Sequence, residues 1–165
     1  MLFKNKINCV IVGLGKMGLV YYNIIKNLNL NLVGVCDLNE SRKKNLKKKD
    51  QKFFTKSFDK ILRNKIDLLI ISSTADYHAK YAKKAILQGV KNILIEKPVV
   101  TSLKDGYELI RLQKKYKTRI CVNHNEFLKK HINILTKFIK QKKYIGKITS
   151  IIFTGGNMGY SMNGV

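Results

Sequence analysis

The chain has 165 residues, of which 45% are hydrophobic and 26% charged, the composition of a globular protein of one domain or little more, which excludes a disordered chain. Three cysteines and one proline exclude a disulfide scaffold and a collagen, and no run approaches the ~18 apolar residues that a membrane span needs. The formal charge of +23 is compatible with a nucleic acid or another anionic partner, but its make-up points to a basic solvent face instead. Arginine, the residue suited to bidentate phosphate or guanine contacts, occurs only as Arg42, Arg63, Arg111 and Arg119. The lysines are spread over every predicted helix with no aromatic stacking pattern between them, and abundant Lys, Asn and Ile is what A/T-rich coding produces. No specific nucleic-acid partner is expected.

Short apolar runs alternate with longer amphipathic stretches along the chain. Ile7 to Val12 reads as a first strand, and Lys16 to Asn27 as a helix with Val20, Ile24 and Leu28 on one stripe. A second strand spans Leu32 to Cys36, followed by a Lys-rich helix over Glu40 to Lys49. Phe53 and Phe54 suggest a short third strand, with a short helix over Ser57 to Arg63 behind it. Asp67 to Ile71 is apolar almost throughout, as a strand buried on both faces should be. Tyr77 to Gln88 is helical, with Ala82, Ala85 and Ile86 inward and Gly89 as its stop. A fifth strand covers Asn92 to Ile95. A capping box, Ser102 with Asp105, opens a helix reaching Tyr116, and Arg119 to Asn123 is the sixth strand.

This alternation predicts an α/β chain with a Rossmann-type, doubly wound parallel sheet. The dinucleotide-binding domain is expected over residues 1–123, and residues 124–165 as the incomplete beginning of a second α/β domain. That beginning is a long basic helix over Phe127 to Lys142, with Leu128, Ile132, Leu135 and Ile139 at helical spacing, a break at Gly146, and a strand over Lys147 to Thr154. A glycine-rich stretch, Gly155 to Tyr160, follows. Cys9, Cys36 and Cys121 lie in apolar runs without CxxC spacing, so reduced thiols in the cytoplasm are expected, and no metal site.

Four motifs carry chemistry. Gly13-Leu14-Gly15-Lys16-Met17-Gly18 lies directly between a strand and a helix, the context a dinucleotide fingerprint requires. Gly13 permits the tight turn, Gly15 lets backbone approach a pyrophosphate, and Gly18 lets the helix pack on the strand. The helix amino end then offers N–H groups and a positive dipole end to the phosphates. Asp37, 19 residues after the third glycine, stands where an acid takes the ribose 2′-hydroxyl of NAD and repels the 2′-phosphate of NADP. Arg42 nearby leaves NADP open. Ser73, Thr74 and His78 follow the fourth strand at the ligand edge of the sheet. Ser73 and Thr74 are candidates for ribose or nicotinamide contact. Helix capping by Thr74 or Asp76, and a structural role for His78, are the alternatives. Glu96-Lys97-Pro98 ends the fifth strand. Lys97 there can donate to, or move a proton at, a reacting carbinol oxygen, with Glu96 holding it and a cis Lys97–Pro98 bond as one way to aim it.

In this order and spacing, the glycine motif, Asp37, the Ser/Thr-x-x-x-His segment and Glu96-Lys97-Pro98 resemble the Gfo/Idh/MocA oxidoreductases, a family that includes glucose-fructose oxidoreductase and inositol dehydrogenases. The resemblance runs from residue 7 to about 154, and Glu96-Lys97-Pro98 is its specific part. It implies a Rossmann domain followed by an α/β domain with a large open sheet, and NAD(P)-dependent oxidation or reduction at a sugar or cyclitol carbon. It assigns catalysis to Lys97, the phosphate-binding turn to Gly13 through Gly18 and the ribose contact to Asp37, with a sugar-like substrate and a homo-oligomer formed through the second domain; Ser73, Thr74, His78, Glu96 and Lys97 complete the expected cofactor-binding set. The chain departs from the family where Tyr160 to Val165 holds neither Asp nor His, although the family's Asp-x-x-x-His segment is expected there. A fragment that binds cofactor without most of the substrate site is therefore expected. A non-catalytic dinucleotide sensor is the alternative reading, and a basic nucleic-acid-binding protein a more distant one.

Overall fold

A computed structural model describes residues 6–124, 129–141, 146, 147, 149 and 150. The chain divides into two compact units, Met1–His124 and Asn125–Val165.

The first unit is built on six parallel strands: β1 (Asn8–Val12), β2 (Asn31–Cys36), β3 (Phe54–Thr55), β4 (Leu68–Ile71), β5 (Asn92–Ile95) and β6 (Arg119–Val122). Their order across the sheet is β3-β2-β1-β4-β5-β6, the doubly wound dinucleotide-binding order, whose switch point lies between β1 and β4. Alternation along β1 explains why the sheet needs cover on both faces. Cys9 and Ile11 pack with Tyr21, Tyr22 and Ile25 of helix α1 (Lys16–Asn27). Val10 and Val12 share the opposite core with residues from α2 (Phe58–Ile61), α3 (Ala75–Leu87) and α4 (Leu103–Tyr116). Each such large apolar side chain, fully buried, contributes roughly 1.5–3 kcal/mol. The inward face of α3 is the expected one, Ala82, Ala85 and Ile86. Ser102 caps α4 by accepting the Asp105 N–H at 3.2 Å.

Three expectations require correction. The stripe Val20, Ile24 and Leu28 of α1 faces outward, at 43%, 43% and 65% exposure. Gly18 must lie against the turn at Gly13, and that contact fixes the rotation of the helix, so the face 18, 21, 22, 25 goes inward. The segment after β2 is not one helix. It forms two 3-10 segments, Glu40–Asn45 and Lys48–Phe53, separated by extended backbone at Leu46 and Lys47. No apolar stripe runs through it: Leu46 and Asp50 are its buried anchors, and the Asn39 side chain takes the Ser41 N–H as its cap. Cys121 is exposed, because β6 is an edge strand with incomplete cover.

In the second unit, α5 (Lys130–Lys140) is the described part of the long helix expected over 127–142. Ile132 and Ile139 are half-buried and Leu135 is exposed. Leu128, most of the strand expected over 147–154, and the stretch 155–165 lie outside the described residues. Among the described residues, no helix is long and apolar enough to cross a membrane.

Candidate functional site

At the switch point the chain leaves β1 at Val12 and enters α1 at Lys16, so three residues must reverse it. Gly13 does so with φ +89°, and a Cβ on it would stand 2.5 Å from the Ser73 nitrogen. Its N–H donates to the Cys36 carbonyl at 2.7 Å. Ser72 Oγ donates to the Gly13 carbonyl at 2.8 Å. A Cβ on Gly18 would lie 2.0 Å from that same carbonyl oxygen. Positions 13 and 18 thus require glycine for packing alone. Gly15 differs: a Cβ there would meet only Arg42 Nη1, at 3.7 Å. The fold leaves room at 15, and a ligand laid against the backbone is what would use it.

The amino end of α1 fits an anionic group. The first amides of a helix have no intrahelical acceptor. Here Gly15 provides no side-chain cap, and no acid stands in the first turn. The amides of Lys16, Met17 and Gly18 are the donors of this helix start, with the exposed Lys16 side chain beside them. Leu14 has a structural part in the turn. Its side chain is wholly buried and its N–H donates to Asp37 Oδ2 at 2.6 Å, which locks the turn to the end of β2. The half-buried Met17 side chain packs against the core.

Asp37 lies directly after β2, 7% exposed, on the rim of a cleft of about 220 Å³ that runs past Gly13, Ser73, Thr74 and Tyr77. Its Oδ2 also accepts from Arg42 Nη1 at 2.9 Å, and its Oδ1 from the Asn39 N–H at 2.8 Å. A carboxylate has about four lone-pair sites, so three protein donors leave one on Oδ1, enough for a single ribose hydroxyl. Cys36 also lines this cleft. Burial, with the Asp37 charge adding to it, pushes its thiol up to about 11, so it presents a neutral surface.

Beyond β4, Ser73 is half-buried and Thr74 exposed, both on the cleft. Thr74 is the N-cap residue of α3 but makes no side-chain cap bond, which leaves its hydroxyl for the cleft. For His78 the geometry fits the structural alternative. It is 1% exposed, and both ring nitrogens are taken by backbone carbonyls, Nδ1 by Pro98 at 2.7 Å and Nε2 by Ser73 at 2.9 Å. It braces the loop after β4 against the loop after β5.

Glu96 follows β5 and is 8% exposed. Its Oε1 accepts from Tyr21 Oη at 2.5 Å and from Asn123 Nδ2 at 2.7 Å, and its Oε2 from the Lys97 backbone N–H at 3.3 Å. The expected Glu96–Lys97 partnership is therefore made through the backbone: among the described residues no ion pair joins the two side chains, and Lys97 is exposed at the sheet's carboxyl edge. The Lys97–Pro98 peptide is cis. Reading the sequence missed Tyr21, Asn123 and Ser72. Tyr21 lies 75 residues from Glu96 along the chain and Asn123 lies 27, and neither carries a local motif.

Residues 7–124 match the oxidoreductase family with an NAD-binding Rossmann fold, Gfo/Idh/MocA. The chain belongs to the Gfo/Idh/MocA family. The matched stretch is the family's NAD-binding domain, and it contains every site residue described above. The chain is 29% identical over 112 residues to an uncharacterized oxidoreductase, YhhX, of Escherichia coli, covering 66% of this chain and 32% of YhhX. Among solved structures it resembles the WlbA dehydrogenase of Bordetella pertussis in complex with NADH and UDP-GlcNAcA (TM-score 0.76, 19% identity, 87% of this chain and 42% of that one). It resembles the myo-inositol 2-dehydrogenase of Lactobacillus plantarum as closely (TM-score 0.76, 18% identity, 87% and 43%). This Gfo/Idh/MocA chain thus spans a third to two fifths of the length of these relatives.

Proposed function

We propose that the chain carries the cofactor site of an NAD-dependent dehydrogenase that moves a hydride between nicotinamide and a carbinol carbon of a sugar, a sugar derivative or a cyclitol. The observation that carries this reading is the switch point itself, where an uncapped helix start and a Gly15 that the fold does not require lie beside Arg42, which pairs with the Asp37 carboxylate on the rim of the cleft. Bound NAD would supply the hydride acceptor. The residues of the chain do the rest. The amides at the start of α1, with the dipole behind them, hold the pyrophosphate. Asp37 takes one ribose hydroxyl and disfavours a 2′-phosphate. Ser73 and Thr74 line the path toward β4. Lys97, at the carboxyl edge of β5, either donates a hydrogen bond to the carbinol oxygen as the ammonium, or as the free amine takes the carbinol proton in oxidation and returns it in reduction. The UDP-GlcNAcA in the WlbA complex and the myo-inositol in the name of the dehydrogenase, a nucleotide sugar and a cyclitol, support the substrate class proposed for Lys97 to act on.

Titration of NADH and NADPH into the purified chain, followed by nicotinamide fluorescence, tests this. Saturable NADH binding is expected, with NADPH weaker. Asp37→Ala should weaken NADH roughly tenfold or more, from the loss of a hydrogen bond to a charged group worth about 1.5–3 kcal/mol, and narrow the gap to NADPH. A folded chain that binds neither nucleotide would overturn the proposal and return the glycine turn to a purely structural role.

A further inference from the structure

We infer that Tyr21 is a positioning residue for Lys97: through Glu96 it ties the phosphate-binding helix to the turn that presents the lysine. The inference rests on the cofactor reading above. Tyr21 is on α1, the helix that starts at the glycine turn. Its hydroxyl donates to Glu96 Oε1, and the other oxygen of that carboxylate accepts the Lys97 N–H. Asn123, just past β6, donates to Oε1 from the other side. All three groups are donors, so an acceptor-only carboxylate satisfies them together. Burial first, and then the adjoining Glu96, push the Tyr21 phenol well above its ordinary value, so it remains a donor at any working pH. The Glu96 carboxylate and the Tyr21 ring are both more than nine-tenths buried, where a hydrogen bond is stronger than in water and its loss leaves a buried acceptor under-satisfied.

The site's layout says which part of the cofactor this link governs. Asp37 at β2 fixes the adenosine half to one side of the glycine turn. The nicotinamide half then runs the other way, across β4 to β5, where Lys97 stands. A residue that merely stabilised α1 would affect both halves equally. A residue acting through Glu96 should affect only the nicotinamide half.

ADP-ribose, which lacks the nicotinamide, separates the two cases. In the full chain, Tyr21→Phe should weaken NADH roughly fivefold, the loss of part of one charge-assisted hydrogen bond, and leave ADP-ribose affinity within about twofold. In a Glu96→Ala background, the further substitution Tyr21→Phe should have no added effect on NADH, because a residue that acts through Glu96 has nothing left to act on. Asn123→Ala, which keeps every side chain of α1, should show the same split between NADH and ADP-ribose and covers the case in which Tyr21→Phe fails to fold. Equal weakening of both ligands, no weakening of either, or additive losses in the double variant would overturn the link while leaving the cofactor reading intact. A folded unsubstituted chain that binds neither ligand would overturn both.

Discussion

Gly13, Gly15 and Gly18 share one motif, and the structure separates their reasons. At Gly18 a Cβ would lie 2.0 Å from backbone that is itself pinned by Cys36 and Ser72. Gly18→Ala should therefore cost about 3 kcal/mol, as overpacking of a rigid contact does, and lower Tm by about 10 °C in a thermal melt. Among the described residues, a Cβ at Gly15 would meet only the flexible end of Arg42. Gly15→Ala should leave Tm within about 2 °C yet weaken NADH about tenfold, because the added methyl occupies the space of the approaching phosphates. Equal Tm losses for the two variants would contradict this division. The motif was legible because its residues are contiguous and their spacing is set by a turn. The partners of Glu96 were not, since a hydrogen bond between residues 75 apart leaves no trace in local pattern.

Elements whose apolar residues recur with a period were legible: the six strands and α3 and α4 stand close to their expected bounds. The segment after β2 was not, because its Lys-rich run suggests a helix while no periodic apolar face binds it to the core. What holds it is Asp50, 3% exposed, accepting from Tyr22 Oη at 2.7 Å and from Lys26 Nζ at 3.1 Å. Burial alone would raise the Asp50 pKa, but the Tyr22 and Lys26 hydrogen bonds outweigh it and hold the carboxyl below its ordinary value. A folded-state pKa below the unfolded one adds stability above the unfolded value and loses it as pH falls through the folded value. Asp50→Asn should accordingly be less stable than the parent chain by about 2 kcal/mol at pH 7. The difference should shrink as pH drops below about 4 and vanish in stronger acid. Denaturant melts across pH measure this, and a pH-independent difference would remove the charge from the account.

For the whole molecule the dominant quantity is the charge of +23. Such a surface repels itself and attracts anions. Raising salt from 0.01 to 0.15 M shortens the screening length from about 30 to about 8 Å, so Tm should rise while NADH affinity falls. A Tm that falls with salt would mean that local ion pairs, such as Lys83 with Asp105 and Glu108, outweigh the net repulsion. By itself the sequence determined the parallel α/β class, the six strands of the first unit, the glycine turn with Asp37 at the end of the neighbouring strand, and the charged turn after the fifth strand. These rest on periodicity and on contacts between chain neighbours, which a linear pattern records. Only the tertiary structure decided which face of α1 turns inward, that His78 braces two loops, and that Glu96 is held by Tyr21 and Asn123 while touching Lys97 through its backbone. Each of these depends on which distant segments the sheet order brings side by side, and steric fit and hydrogen-bond satisfaction across those junctions come into force only once the strands have closed.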